Sequence, residues 1–145
     1  MRIRHATGAD LELTAHRPGS RWFRAACSRF LRVRRHPFGR VLVAEEDGLI
    51  VALLGFTVSP ARRGQRAEAI VLELEVDPAR GRQGIGSRLV RFAEGIARMI
   101  GCPRLDVATG LSEWGEGNCW LGLGYVDDGG GLHKVLGPPG RRRCA

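Results

Sequence analysis

Apolar residues recur along this chain with two different periods, and each change of period marks an element. Arg2–His5 predicts a short opening strand, followed by a helical start around Ala9–Ala15. Pro18-Gly19-Ser20 then breaks the chain, and Ser20 is placed to cap a helix running to about Arg35. On that helix Trp22, Phe23, Ala26, Phe30 and Val33 share one face, while Arg21, Arg24, Arg32 and Arg35 share the opposite one. His36-Pro37-Phe38-Gly39 ends it. Val41–Glu45 and Leu49–Val58 predict a hairpin, because the Asp47-Gly48 pair between them is a strong signal of a tight turn. After the polar loop Ser59–Arg66 comes a strand, Ala69–Val76. Strict alternation there puts Ile70, Leu72, Leu74 and Val76 on one side and Val71, Glu73 and Glu75 on the other.

From Gly84 to Ile100 the period becomes helical. Ile85, Leu89, Phe92, Ala93, Ile96, Met99 and Ile100 form the predicted buried stripe, with Arg88, Arg91, Glu94 and Arg98 away from it. Gly101 is placed to stop the helix and Pro103 follows. Leu105–Ala108 predicts a short strand. Glu113–Gly122 is a candidate helix weakened by three glycines, and Tyr125–Val126 and Leu132–Leu136 predict the last strands. The remainder carries two prolines and three arginines, so a single domain over 1–137 with a loose basic tail at 138–145 is expected.

Composition narrows the class. A chain of 145 residues that is 43% apolar can bury one sizeable core. The longest apolar run, Leu49–Val58, is about half of what a membrane span needs, and the first residues turn polar at once. A cytoplasmic protein with no membrane partner is expected. Cysteines at 27, 102, 119 and 144 form no C-x-x-C pair, and the four histidines are scattered, so free thiols and no metal site are expected. The net charge of +8 is concentrated: between Glu12 and Glu45 stand eight arginines and no acidic residue. Such a patch implies anionic company, whether a phosphate, an acidic substrate or a nucleic acid.

Chemistry concentrates in Val76-Asp77-Pro78-Ala79-Arg80-Gly81-Arg82-Gln83-Gly84-Ile85-Gly86-Ser87, between a strand and an amphipathic helix. Glycines there let main-chain N–H groups approach a phosphate without Cβ atoms in the way, and the helix start adds unsatisfied amides and a positive dipole end. An anion site at this point follows from the residues alone. No lysine stands where a P-loop requires one, and Leu89 occupies the third glycine position of a dinucleotide fingerprint, so both of those readings fit badly.

The run V-D-P-x-x-x-R-Q-G-I-G-S-x-L-V after an apolar strand resembles the acyl-CoA motif of the GNAT N-acetyltransferase superfamily, and the element order resembles a GNAT domain over nearly the whole chain. The resemblance implies an α/β (α+β) fold, a mixed, strongly twisted six- to seven-stranded sheet flanked by about four helices. It implies acetyl-CoA as cosubstrate. The backbone at Leu74, Glu75 and Val76 would pair with the pantetheine arm, and Gly81, Arg82, Gln83, Gly84, Ile85, Gly86 and Ser87 would hold the pyrophosphate. CoA would sit where the strand ending at Val76 parts from Leu105–Ala108. Gly81 stands where the family has Arg or Gln, with Arg80 and Arg82 beside it.

The reaction so implied is direct attack of an amine on the thioester, which needs a base and a donor for the oxyanion. Glu73 and Glu75 share a strand face and either could be that base, with Glu68 third. The stretch Cys119–Tyr125 resembles the family's segment that carries an acid tyrosine, but Trp120 occupies the tyrosine position beside the CoA sulfur, and an indole cannot act as a general acid. Glu113 stands at the family's asparagine position. Cys119 reads as core rather than nucleophile. The arginines favour a neutral or anionic amine, small molecule or peptide, over a polycation. Two alternatives remain: a GNAT-like domain that binds CoA without catalysis, as a sensor or partner domain, and nucleic-acid binding through the basic helix. The second lacks exposed aromatic platforms and is the weaker. A homodimer is compatible with this resemblance.

Overall fold

The computed structural model describes residues 1–12, 21–81, 83–108, 110–111 and 119–137. The expectations for residues 13–20, including the Ser20 cap, and for Arg82, residues 112–118 with Glu113, and the tail 138–145 lie outside them.

Among the described residues seven strands form one sheet: β1 (Arg2–His5), β2 (Gly39–Glu46), β3 (Leu49–Ser59), β4 (Glu68–Val76), β5 (Arg104–Val107), β6 (Val126–Asp127) and β7 (Leu132–Val135). Their order across the sheet is β1-β2-β3-β4-β5-β7-β6. Only β4 and β5 run parallel, because the helix α2 (Ile85–Ile100) carries the chain back between them. Helix α1 (Arg21–Arg35) precedes β2, and a short α3 (Cys119–Gly122) precedes β6. Three α-helices are thus described, against the four or so expected. Ala9–Leu11 forms a single 3-10 turn where a helical start was predicted.

The hairpin β2–β3 turns through Asp47 and Gly48 at φ 52° and 77°, the paired positive values that a tight two-residue connection demands. α1 covers one sheet face: Phe23, Ala26, Cys27, Phe30 and Val33 pack on Val41, Val43 and Leu53. Trp22, expected on the buried face, is half-buried and edge-on to Phe23. Gly55 permits this close approach, since a Cβ there would meet the two Val33 methyls at 3.2 Å and Phe30 at 3.3 Å.

α2 covers the other face, with Ile85, Leu89, Val90, Ala93 and Ala97 against Leu42, Leu54, Phe56, Val71 and Leu74. Its buried stripe is rotated from the predicted one. Phe92 and Met99 are exposed, and Glu94 is buried. A buried carboxylate must be paired, and Glu94 accepts from the Tyr125 hydroxyl at 2.9 Å and from Lys134 Nζ at 3.0 and 3.3 Å. This triad fastens the middle of α2 to β7 and so fixes where the start of α2 lies.

β4 also departs from simple alternation. Its partners on β3 run Glu73↔Gly55 and then Val71↔Phe56, so Leu72 is an extra residue, a bulge. Ala69, Val71 and Leu74 therefore all face the α2 side, while Leu72, Glu73 and Glu75 face α1. The predicted grouping of Val71 with the two glutamates, and of Leu72 with Leu74, is corrected by that one inserted residue.

Candidate functional site

The parallel pairing of β4 with β5 is brief. It covers Ala69↔Leu105, Ile70↔Asp106 and Val71↔Val107, closing with Ala108 N donating to Val71 O at 2.9 Å. Beyond that rung the strands part. Leu72–Val76 stays bonded to β3 on one edge, through Ala52↔Val76, Leu53↔Glu75, Leu54↔Leu74 and Gly55↔Glu73, and among the described residues no strand pairs with its other edge. Main-chain groups turned that way need a partner from water or a ligand. The bulge at Leu72 sits where the split begins.

At the end of β4 the chain enters a 3-10 turn, Pro78–Arg80, whose start is held by the Asp77 carboxylate accepting from Ala79 N at 3.0 Å. Gly81 follows with ordinary extended angles, φ −58° and ψ 150°. Gly84 takes φ 72°, a left-handed conformation that costs other L-residues about 1–2 kcal/mol, and from it α2 begins. Gly84 offers no side-chain oxygen to the first amides of α2, and the first turn holds no acidic residue. Among the described residues no side chain accepts from those amides, so they and the dipole end are open to water or to an anion. Gln83 and Gly84 are exposed, Ser87 is half-buried, and Ile85 and Gly86 are buried under the turn.

Of the nearby arginines, Arg88 is exposed and Arg80 is paired with Glu46 in the β2–β3 hairpin. Arg80 is thus tied back toward the hairpin.

Glu73 and Glu75 do come together on one face, and a residue the sequence reading did not single out joins them. Arg29 of α1 donates from Nη2 to Glu75 Oε1 at 2.7 Å and places Nη1 3.7 Å from Glu73 Oε2. Both carboxylates are partly exposed. A signal existed in the sequence: Arg29 lies at the border of the apolar stripe, where a long side chain reaches across a sheet, and two same-face glutamates call for a counter-charge. Glu68 lies at the far end of β4, beyond the bulge and opposite Ser59.

Trp120 is buried at 1% exposure, edge-on to Tyr125, with its indole N–H donating to Leu111 O at 2.7 Å. Tyr125, the sole tyrosine, is spent on Glu94; burial first, then that negative charge, drives its phenol far above the ordinary value. Burial likewise raises the Cys27 and Cys102 thiols. Among the described residues no three His, Cys, Asp or Glu side chains cluster as metal ligands, and no helix is long and apolar enough to cross a membrane.

Comparison with known proteins gives this geometry its context. Residues 9–114 match the acetyltransferase (GNAT) family. No curated protein matches the sequence. Among solved structures, a GNAT family acetyltransferase of Staphylococcus aureus superposes with a TM-score of 0.62 at 16% identity, covering 93% of this chain and 98% of the other. An aminoglycoside 6'-N-acetyltransferase of Acinetobacter haemolyticus gives 0.56 at 21% identity, covering 78% and 82%. An acetyltransferase of Vibrio fischeri gives 0.56 at 18%, covering 74% and 94%. At these identities the likeness is one of fold.

Proposed function

This chain belongs to the acetyltransferase (GNAT) family, and from that membership we propose that it is a cytoplasmic N-acetyltransferase, moving the acetyl group of acetyl-CoA to a primary amine of a neutral or anionic small molecule or peptide. The observation that carries the reading is the open edge of β4 running straight into the uncapped start of α2. A donor with an amide-bearing arm and a pyrophosphate needs both parts in that order. The main chain of Leu74, Glu75 and Val76 would take the arm, and the amides from residue 82 to Ser87 the phosphates.

Catalysis follows by direct attack. The acceptor ammonium gives up a proton to Glu73 or Glu75, directly or through water, and its nitrogen adds to the thioester carbon. Negative charge on the tetrahedral oxygen is met by main-chain N–H groups freed where the bulged strand leaves β5. The carbon–sulfur bond then breaks, CoA leaves as thiolate, and the second proton of the attacking nitrogen passes through water to the sulfur. Trp120 supplies none, its N–H being committed to Leu111.

Thiol release from acetyl-CoA, measured over a panel of amines, tests this directly. Loss of a general base should lower kcat by about 100-fold or more in Glu73→Gln or Glu75→Gln. Absence of saturable CoA binding would sink the whole reading. The second reading, a CoA-binding domain without turnover, is favoured by Trp120 standing where the acid would be; CoA binding by calorimetry with no thiol release from any amine would select it.

A further inference from the structure

Arg29 has five N–H donors, and the structure commits one of them, Nη2, to Glu75. At 3.7 Å its Nη1 is too far from Glu73 Oε2 for a hydrogen bond. The Arg29 side chain is 41% exposed, and the Glu73 carboxylate accepts no hydrogen bond among the described residues. A positive fork with donors to spare and a negative group with oxygens to spare thus stand side by side on the α1 face of β4, in the stretch where β4 has left β5. A guanidinium fork matches a carboxylate in shape and charge.

The geometry points to Arg29 as the residue that selects an acceptor carrying a carboxylate next to its amine, that is, a free α-amino acid. Its ammonium meets Glu73, its carboxylate meets Arg29, and Glu75 holds the guanidinium still. The four charges then alternate in sign around a closed ring, of which the 3.7 Å gap between Arg29 and Glu73 is one side. Neither charge of the zwitterion is left facing its like. A decarboxylated amine would complete only half of the ring. This inference rests on the amine-acetylating reading above and adds to it the substrate class and the residue that reads it.

Matched pairs test it: alanine and ethylamine, leucine and isoamylamine, phenylalanine and phenethylamine, each titrated into the CoA-saturated protein by calorimetry and assayed in parallel for acetylation. One charge-assisted contact predicts that the amino acid of at least one pair binds about tenfold or more tighter than its amine. Arg29→Ala should erase that preference, raising KM for the amino acid well above any change in KM for its matched amine. Arg29→Lys should keep part of it and guards against a folding defect in the alanine variant. Arg29-dependent binding without acetyl transfer would uphold the inference and remove the catalytic reading. Preference for the amine in all three pairs, or a preference for the amino acid unchanged in both variants, overturns the inference and leaves the catalytic reading standing.

Discussion

Two glycines three residues apart should answer the same substitution in opposite ways. Gly81 has φ −58° and ψ 150°, angles any L-residue adopts, and a Cβ there would meet nothing nearer than Pro78 O at 3.8 Å. Arginine at 81 therefore fits without strain, and replacing glycine tends to stabilise by about 0.5 kcal/mol through the unfolded chain. If the proposed placement of the pyrophosphate is right, the guanidinium of Gly81→Arg should come within reach of it. A charge-assisted hydrogen bond contributes about 1.5–3 kcal/mol, and ordering the side chain costs about 1. The net gain of about 0.5–2 kcal/mol tightens the Kd for CoA roughly 2- to 30-fold, with a steeper loss at high salt. Gly84 also has open space around it, but its φ of 72° strains Gly84→Arg by about 1–2 kcal/mol, at the proposed phosphate site. Gly84→Arg should lower the Tm and weaken CoA binding. Calorimetric titration of CoA into both variants, with a thermal melt of each, decides the matter. Binding no tighter in Gly81→Arg, together with binding unharmed in Gly84→Arg, would refute the placement of the pyrophosphate.

The buried triad predicts that Lys134→Met destabilises by about 1–3 kcal/mol in denaturant unfolding, since it leaves the Glu94 charge only the Tyr125 hydroxyl and Arg98 at 3.9 Å, and that adding Glu94→Leu restores part of the loss. Tyr125 has a raised folded-state value, so its contribution is complete below pH 10 and lost as pH rises. The phenolate band of this one tyrosine should therefore appear only as the protein unfolds in alkali. At the other extreme, hydrogen bonds from Arg4 hold the Asp10 carboxyl down to about 2 from 3.8. That shift corresponds to about 2 kcal/mol, present above pH 4 and lost as pH falls toward 2, and Asp10→Asn should flatten the acid limb of the stability profile.

What could be read from the sequence was what neighbours along the chain decide. Asp47-Gly48 places the hairpin, Gly84 and Gly101 bound α2, and the arginine stripe Arg21, Arg24, Arg32 and Arg35 is exposed as its spacing demands. The misreadings have long-range causes. Glu94 belongs on the solvent side by period, and its burial depends on Lys134 forty residues away and on Tyr125. With Glu94 drawn inward, α2 turns, and Phe92 and Met99 are left outside. The bulge at Leu72 has no glycine or proline in its own strand to announce it, and its one local mark, Gly55 at the slip in register, lies on the neighbouring β3. Arg29 was counted as one charge in a patch, since nothing local ties it to strand residues 44 and 46 positions later.

A sheet that is split down its middle is unfinished until something slips into the gap. Amides of Leu72–Val76 that point into the opening should trade their hydrogens for deuterium sooner than those of Ala69–Val71. Any molecule that fills the gap serves as an eighth, borrowed strand, and at a hundredfold excess over its Kd it adds about 2.7 kcal/mol to folding stability. The lifetime of this protein in a cell would then rise and fall with the supply of its donor.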